Sequence, residues 1–314
     1  MARYVLGRLG RAMITLAIVL SIVFMLMRLL PVETYFGGRS DTMTDAVKEQ
    51  ILRSLGLLDP MHKQLLNFWK SLLKGDLGKS IVYRKGVSNV EIIVPKAAVS
   101  FKFGIASLAI SLVVGLSLGV LMAVYKGKHI DKLGNAYVVL INALPAAVYY
   151  LFIQLYLTTL FGLPMLYNQY NPATWILPTI SMSLGGIASN AMWMRRYMVD
   201  QLNQDYIRLA LAKGLSSRQV AFRHILRNAF IPMSQSLPTS ILFTISGSLY
   251  VESLYSIPGL GGLLITAIQR QDNTLVQAMV LLYSAMSVLG MLLGDLTMVL
   301  VDPRIKLVKE GDTR

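Results

Sequence analysis

The chain of 314 residues contains no cysteine, which removes disulfide frameworks, thiolate metal sites and cysteine nucleophiles together. Histidine is scarce. His62, His129 and His224 fall in three separate segments, so no metal site follows from them, and neither residues 75–80 nor the Ser/Gly-rich stretch 176–193 offers a nucleophile with a base at a recognisable spacing. Acidic residues number 16 against 30 basic ones, and the apolar runs lack the paired carboxylates that a proton relay or an intramembrane aspartyl protease needs. Residues 133–194 have no charged side chain at all. What is abundant is apolar surface. Hydrophobic residues make up 54% and mean hydropathy is +0.56, beyond the roughly 45–50% apolar share of a soluble globule. These proportions predict an all-α polytopic membrane protein. The formal charge of +14 gathers near the ends of the apolar runs, where it orients helices in a bilayer and calls for no nucleic acid.

Six apolar stretches divide the chain. A basic start (Arg3, Arg8, Arg11) precedes the first, at 12–27, and no small-residue cleavage pattern follows Leu30-Pro31-Val32-Glu33, so it reads as an uncleaved span. Residues 32–95 form a polar insert with helix signals at 44–55 and 60–73. Within it Gly75-Asp76-Leu77-Gly78-Lys79-Ser80 imitates the end of a phosphate-binding loop, but Leu73 stands where that motif needs its first glycine. The second span, 103–125, is uncharged and long enough to cross a core of about 30 Å; Gly115 and Gly119 give it a ridge for close helix contact. The run 133–194 is too long for one crossing. Its polar break at Tyr167-Asn168-Gln169-Tyr170-Asn171-Pro172 predicts spans at 136–161 and 176–193, with Tyr149, Tyr150 and Gln154 as polar handles for a substrate path on the third span.

The fifth span, 228–251, ends at Glu252, and Ser256-Ile257-Pro258-Gly259-Leu260-Gly261-Gly262 reads as a re-entrant turn. The sixth, 273–294, repeats the small-residue spacing at Gly290 and Gly294. Asp295, close to a basic end, is expected to pair locally rather than to carry protons. The predicted layout is 1–31 for the start and first span, 32–95 for an extracytoplasmic insert, 96–303 for a five-helix core and 304–314 for a tail. With the amino terminus inside, the four inner segments carry three (1–11), three (126–132), seven (195–227) and four (304–314) lysines and arginines. The short outer loops carry none (162–174) and one, Arg270. That asymmetry is the one bilayer insertion favours, and it places both termini in the cytoplasm.

The loop 195–228 is unlike the rest. Asp205 is placed to cap one short helix, Gly214 suits the left-handed residue after it, and Ser216 with Gln219 fits a capping box opening a second. A basic helix–Gly–helix projection between two spans suits a gripping partner, and the chain has no energy-coupling chemistry of its own.

Several segments together resemble the inner-membrane permease subunits of ATP-binding-cassette importers, in the dipeptide/oligopeptide and nickel branch. They are Tyr4-Val5-Leu6-Gly7-Arg8-Leu9, Leu55-Gly56-Leu57 with Asp59-Pro60, Gly75-Asp76-Leu77-Gly78, Ala210-Leu211-Ala212-Lys213-Gly214-Leu215, Arg227-Asn228-Ala229, Glu252 with Ser256-Ile257-Pro258-Gly259-Leu260-Gly261, and Asp302-Pro303-Arg304. The resemblance covers nearly the whole chain and implies a type I importer permease fold. It also implies a second similar permease, two ATPase subunits that bind ATP and Mg, and an extracytoplasmic solute-binding protein. No cofactor is expected in this chain. The loop is similar to that family's coupling element, which implies ATPase contacts at Arg208, Ala210, Lys213, Gly214, Leu215 and Arg218, although Arg208 and Leu209 stand where the motif has its acid and first alanine. Glu252, Pro258, Gly259 and Gly261 are candidates for gating or for docking the binding protein. The same class of importer for nickel or another small solute is the alternative cargo. A self-contained ion-coupled carrier is the alternative class, and it would have to depend on Asp295 or Glu252.

Overall fold

The computed structural model describes residues 2–36, 40–202, 204–246 and 248–301, and every element named among them is helical. The first helix α1 (Ala2–Arg28) is followed by two short helices, α2 (Asp45–Ser54) and α3 (Met61–Leu73), as the insert's helix signals predict. Helix α4 (Asn89–Val124) carries the expected second span, but it begins upstream of the expected core boundary at 96, with Asn89 fully buried.

Close helix packing follows from small residues. Serines and glycines of α4, including Ser107, Ser111, Gly115 and Gly119, are buried, mostly against α8 (Ile176–Leu202), its main neighbour. A Cβ on Gly115 would lie 2.9 Å from the Ile187 carbonyl oxygen, and one on Gly119 would lie 2.6 Å from that of Ala191. No larger side chain fits there. Gly290 and Gly294 act alike on α14 (Asn273–Val301), where a Cβ on Gly294 would meet the Gln235 carbonyl of α11 (Leu226–Ser246) at 2.5 Å. Helix α1 packs on α14, joined by the ion pair Arg8–Asp295. Asp295 is therefore paired, and Gln235 Nε2 lies 3.4 Å from its other oxygen. At its other end α1 holds the insert, with Phe24 stacked on Phe68 of α3 at 4.5 Å and Trp69 Nε1 donating to Ser21 Oγ at 3.1 Å.

Two expectations change here. The third span is not one straight helix: α5 (His129–Ala143) ends at Leu144, and α6 (Ala146–Phe152) leaves at 108° to it, continuing through a π-helical turn (Ile153–Leu157) into α7 (Thr158–Phe161). Pro145 is the cause. Its ring excludes the helical conformation from the residue before it, and Leu144 is extended at φ −91° and ψ 137°. The six-span count is also only partly matched. Among the described residues, three helical stretches suffice by length and composition to cross a bilayer, Gly7–Arg28, Asn89–Val124 and Asn273–Thr297, or four if the bent pair is one span. Helices α8 and α11, where the fourth and fifth spans were expected, are not among them.

Between α8 and α11 lie α9 (Asp205–Ala212) and α10 (Ser217–Val220), the latter running into α11 through a second π-helical turn (Ala221–Ile225). After α11 come α12 (Leu249–Leu254) and α13 (Leu260–Gln269). The turn between α12 and α13 folds back against the bundle, burying Ile257 and Leu260. The expected Asp302-Pro303-Arg304 terminator and the tail lie outside the described residues.

Candidate functional site

The predicted helix–Gly–helix element is present, built by two local devices. Gly214 is left-handed (φ +85°); its N–H donates to the Leu211 carbonyl at 2.9 Å and that of Leu215 to Ala210 at 3.3 Å, the paired bonds of a Schellman motif. The capping box closes as expected, Gln219 N to Ser216 Oγ at 3.3 Å and Ser216 N to Gln219 Oε1 at 3.0 Å. Asp205 differs from expectation. The chain enters α9 one residue earlier, at Gln204, leaving Asp205 as the first helical residue, with its carboxylate 3.7 Å from Arg208 and favourable toward the helix dipole.

The element is not a free projection. Ile207 and Ala210 are buried in one cluster with Met194 and Met198 of α8, Ala123 of α4, and Ala229 and Met233 of α11, and Leu215 is half-buried against it. Of the expected contact residues, Ala210 thus faces inward, while Arg208, Lys213 and Gly214 are exposed beside Leu209 and Leu211. Arg218 lies in α10; its side chain is outside the described part.

A second anchor at this end is absent from the sequence reading. Arg195, at the α8 end near the element, grips buried Asp131 of α5 with two bonds, Nε to Oδ1 at 2.6 Å and Nη2 to Oδ2 at 2.9 Å. Gly127 N and Asn135 Nδ2 donate to the same carboxylate, each at 2.8 Å. Its only sequence signal is an acid among the basic residues of a short loop.

At the opposite end of α4, Glu252 is fully buried. Ser100 of α4 donates to its Oε1 at 2.6 Å, and Gly261 N, in the first turn of α13, donates to its Oε2 at 2.6 Å; Ser100 Oγ in turn accepts from Leu260 N at 2.8 Å. The carboxylate thereby satisfies amide donors that α13 cannot satisfy within itself. A Cβ on Gly259 would collide with the Glu252 carboxylate and Ser100, and one on Gly261 would come within 2.8 Å of Leu249 Cα. Of the four gating or docking candidates only Pro258 is exposed, beside Ser256; Glu252, Gly259 and Gly261 form the buried frame that holds this turn.

An anion is held just after the motif that imitated a phosphate loop, with its last residue, Ser80, taking part. The amides of Ile81, Val82 and Tyr83 converge on the carboxylate of Asp272, at 3.2, 3.0 and 2.8 Å, and Ser80 Oγ donates to it as well. A backbone anion nest is present, and its anion is a side chain of the chain itself. Asp272 also caps α14 by accepting from Leu275 N at 3.3 Å. Burial pushes its carboxyl pKa up, but the Ser80 hydroxyl and the three amides outweigh that and hold it below the ordinary value. The signal available beforehand was an acid just ahead of a long apolar helix.

The substrate-path candidates separate. Gln154, in the π-helical turn, is buried and donates to the Leu254 and Met165 carbonyls at 2.8 and 3.2 Å, tying the bent pair to α12. Tyr149 and Tyr150 are half-buried and edge-to-face at 4.7 Å.

Comparison with known proteins agrees with this architecture. Residues 115–307 match the family model described as binding-protein-dependent transport system inner membrane component. The dipeptide transport system permease protein DppB of Bacillus subtilis is 31% identical over 313 residues, covering 99% of this chain and 100% of that protein. The glutathione transport system permease protein GsiC of Salmonella typhimurium is 33% identical over 310 residues, covering 98% and 99%. The oligopeptide transport system permease protein AmiC of Streptococcus pneumoniae is 32% identical over 211 residues, 66% of this chain and 42% of that protein. With its helical core matched by the family model and its full length matched by such relatives, the chain belongs to the inner membrane components of binding-protein-dependent transport systems.

Proposed function

We propose that the chain is a permease subunit of an ATP-driven importer, forming half of a translocation pore for di- and oligopeptides beside a second, similar permease. ATP and Mg bind to two separate ATPase subunits in this reading, and an extracytoplasmic solute-binding protein delivers the cargo. Six crossings put both termini and α9–α10 in the cytoplasm and the insert outside; Pro145 splits the third. The peptide cargo is taken from the names of the full-length relatives.

One observation carries the mechanism. The inner face of α9 shares a single apolar cluster with α4, α8 and α11, so a displacement of the element is felt by three long helices together. Closure of the ATPases pushes on the exposed face around Arg208, Leu209, Leu211 and Lys213, and the element, held by its Schellman turn and capping box, moves as one body. The bundle then rocks, opening the pore to each side in turn.

Gly214 supplies the test. A Cβ there meets nothing within 4 Å, so substitution acts through the left-handed backbone, costing roughly 1–2 kcal/mol for an ordinary residue and less for asparagine. In the assembled importer, Gly214→Val is expected to lower peptide uptake at least tenfold and to abolish ATPase stimulation by the loaded binding protein, with Gly214→Asn close to native. Unchanged uptake in Gly214→Val overturns the coupling role.

A further inference from the structure

Outside the coupling element and the Glu252 frame, the insert encloses a cavity of about 740 Å³ against α1 and α14. That volume falls within the range of roughly 300–1,000 Å³ found for small-molecule sites. Its walls are of two kinds. Phe24, Phe36, Phe68 and Leu281 make an apolar side, while the turns around Gly56, Gly78 and Gly86 bring main chain to the other. All three glycines are left-handed, at φ +67°, +81° and +83°.

Charge in the lining is uneven, with Arg28, Lys79 and Lys85 against Asp76 alone. Among the described residues no carboxylate forms an ion pair with Arg28; its guanidinium lies 5.1 Å from the Phe24 ring centre and 5.9 Å from that of Tyr35, and its buried Nε has no hydrogen-bond partner. Gln64, on the same lining, has the opposite deficit: its Nε2 donates to the Asp59 carbonyl at 2.7 Å, while its buried Oε1 accepts nothing. Buried polar atoms are rarely left unpaired, and here the unmet donor and the unmet acceptor belong to two side chains that line one cavity.

We propose that this cavity binds a short peptide, with its free C-terminal carboxylate at Arg28, an apolar side chain on the aromatic side, and its amide groups toward Gln64 and the glycine turns. A peptide presents a carboxylate, further acceptors and N–H donors together. Free phosphate presents no apolar group for the side made by Phe24, Phe36, Phe68 and Leu281. The site rests on the peptide-import reading and adds a station on the permease itself, on the side where that reading places delivery.

The test uses the full chain in phosphatidylcholine nanodiscs, without the binding protein. Trialanine is expected to bind saturably, and its C-terminal amide at least tenfold more weakly. Arg28→Gln is expected to lose at least tenfold for trialanine and Arg28→Lys less. Equal binding of peptide and amide, or full binding in Arg28→Gln, overturns the site. So does saturable binding of inorganic phosphate or phosphatidylglycerol with none of trialanine, which would mark an anion or lipid site. The comparison of peptide with amide on the native chain decides even if Arg28→Gln fails to fold. Uptake by the assembled importer is measured in parallel: peptide uptake without binding here removes this site and leaves the import reading standing, whereas absence of uptake removes that reading.

Discussion

Asp272 shows how one carboxylate joins distant parts of the chain, since its oxygens are shared between the first residues of α14 and three successive amides of the insert. Asp272→Asn removes the charge that those donors solvate, and a loss of about 1–3 kcal/mol is expected, read as a lower melting temperature and faster proteolysis of the insert. The pH dependence has a definite sign. Because the folded carboxyl lies below its ordinary value, its contribution is complete above the ordinary range near about 3.9 and is lost as pH falls through the folded value. The stability gap between native and Asp272→Asn is therefore flat between about pH 5 and 8 and closes only in stronger acid. Asp131 and Arg195 make a different kind of pair, bidentate and largely buried. Removing either partner strands the other, at a cost of about 3–5 kcal/mol, whereas an apolar replacement of both recovers much of that; a double-mutant cycle on thermal unfolding checks the coupling.

At the level of elements, the small residues of α4 and α14 decide which helices touch. Gly119 faces the Ala191 carbonyl so closely that Gly119→Leu must part α4 from α8, and because those two helices also bound the cluster under α9, the damage should reach the helix–Gly–helix element. The expected outcome is a destabilised chain, about 1–3 kcal/mol by the usual cost of overpacking, with uptake reduced in whatever fraction reaches the membrane. An unaltered melting temperature would contradict the close contact. The helix–Gly–helix element was legible in advance because Gly214, Ser216 and Gln219 act within a few residues of one another. The bend at Pro145 was less so. Proline was visible within the expected third span, but whether it kinks a helix or ends it depends on the packing that receives the two halves.

For the whole molecule, the missing cysteines become a tool. A single cysteine in place of exposed Lys74 in the insert, or of exposed Lys213 in the helix–Gly–helix element, reports its side of the membrane without background from other thiols of the chain. In intact cells Lys74→Cys should react with a membrane-impermeant maleimide and Lys213→Cys only after permeabilisation. The reverse pattern would invert the proposed topology. The expected re-entrant turn is held in the same way by distant parts of the chain: α4 and α13 close over Glu252, Gly259 and Gly261.

By itself the sequence determined the features set by composition and short range: an apolar all-helical chain, the insert's two helices, the small-residue ridges and the two local devices around Gly214. Those depend on neighbours within a few residues or on side-chain size alone. Only the tertiary structure decided which carboxylate meets which donor, as with Asp272 and the 81–83 amides or Glu252 and Ser100, because these partners are remote in sequence and many donors were available to each. It decided as well that Ala210 faces inward, since α4, α8 and α11 come together beneath it, and that the expected third span breaks sharply at Pro145, since α6 is received by α8 and α12.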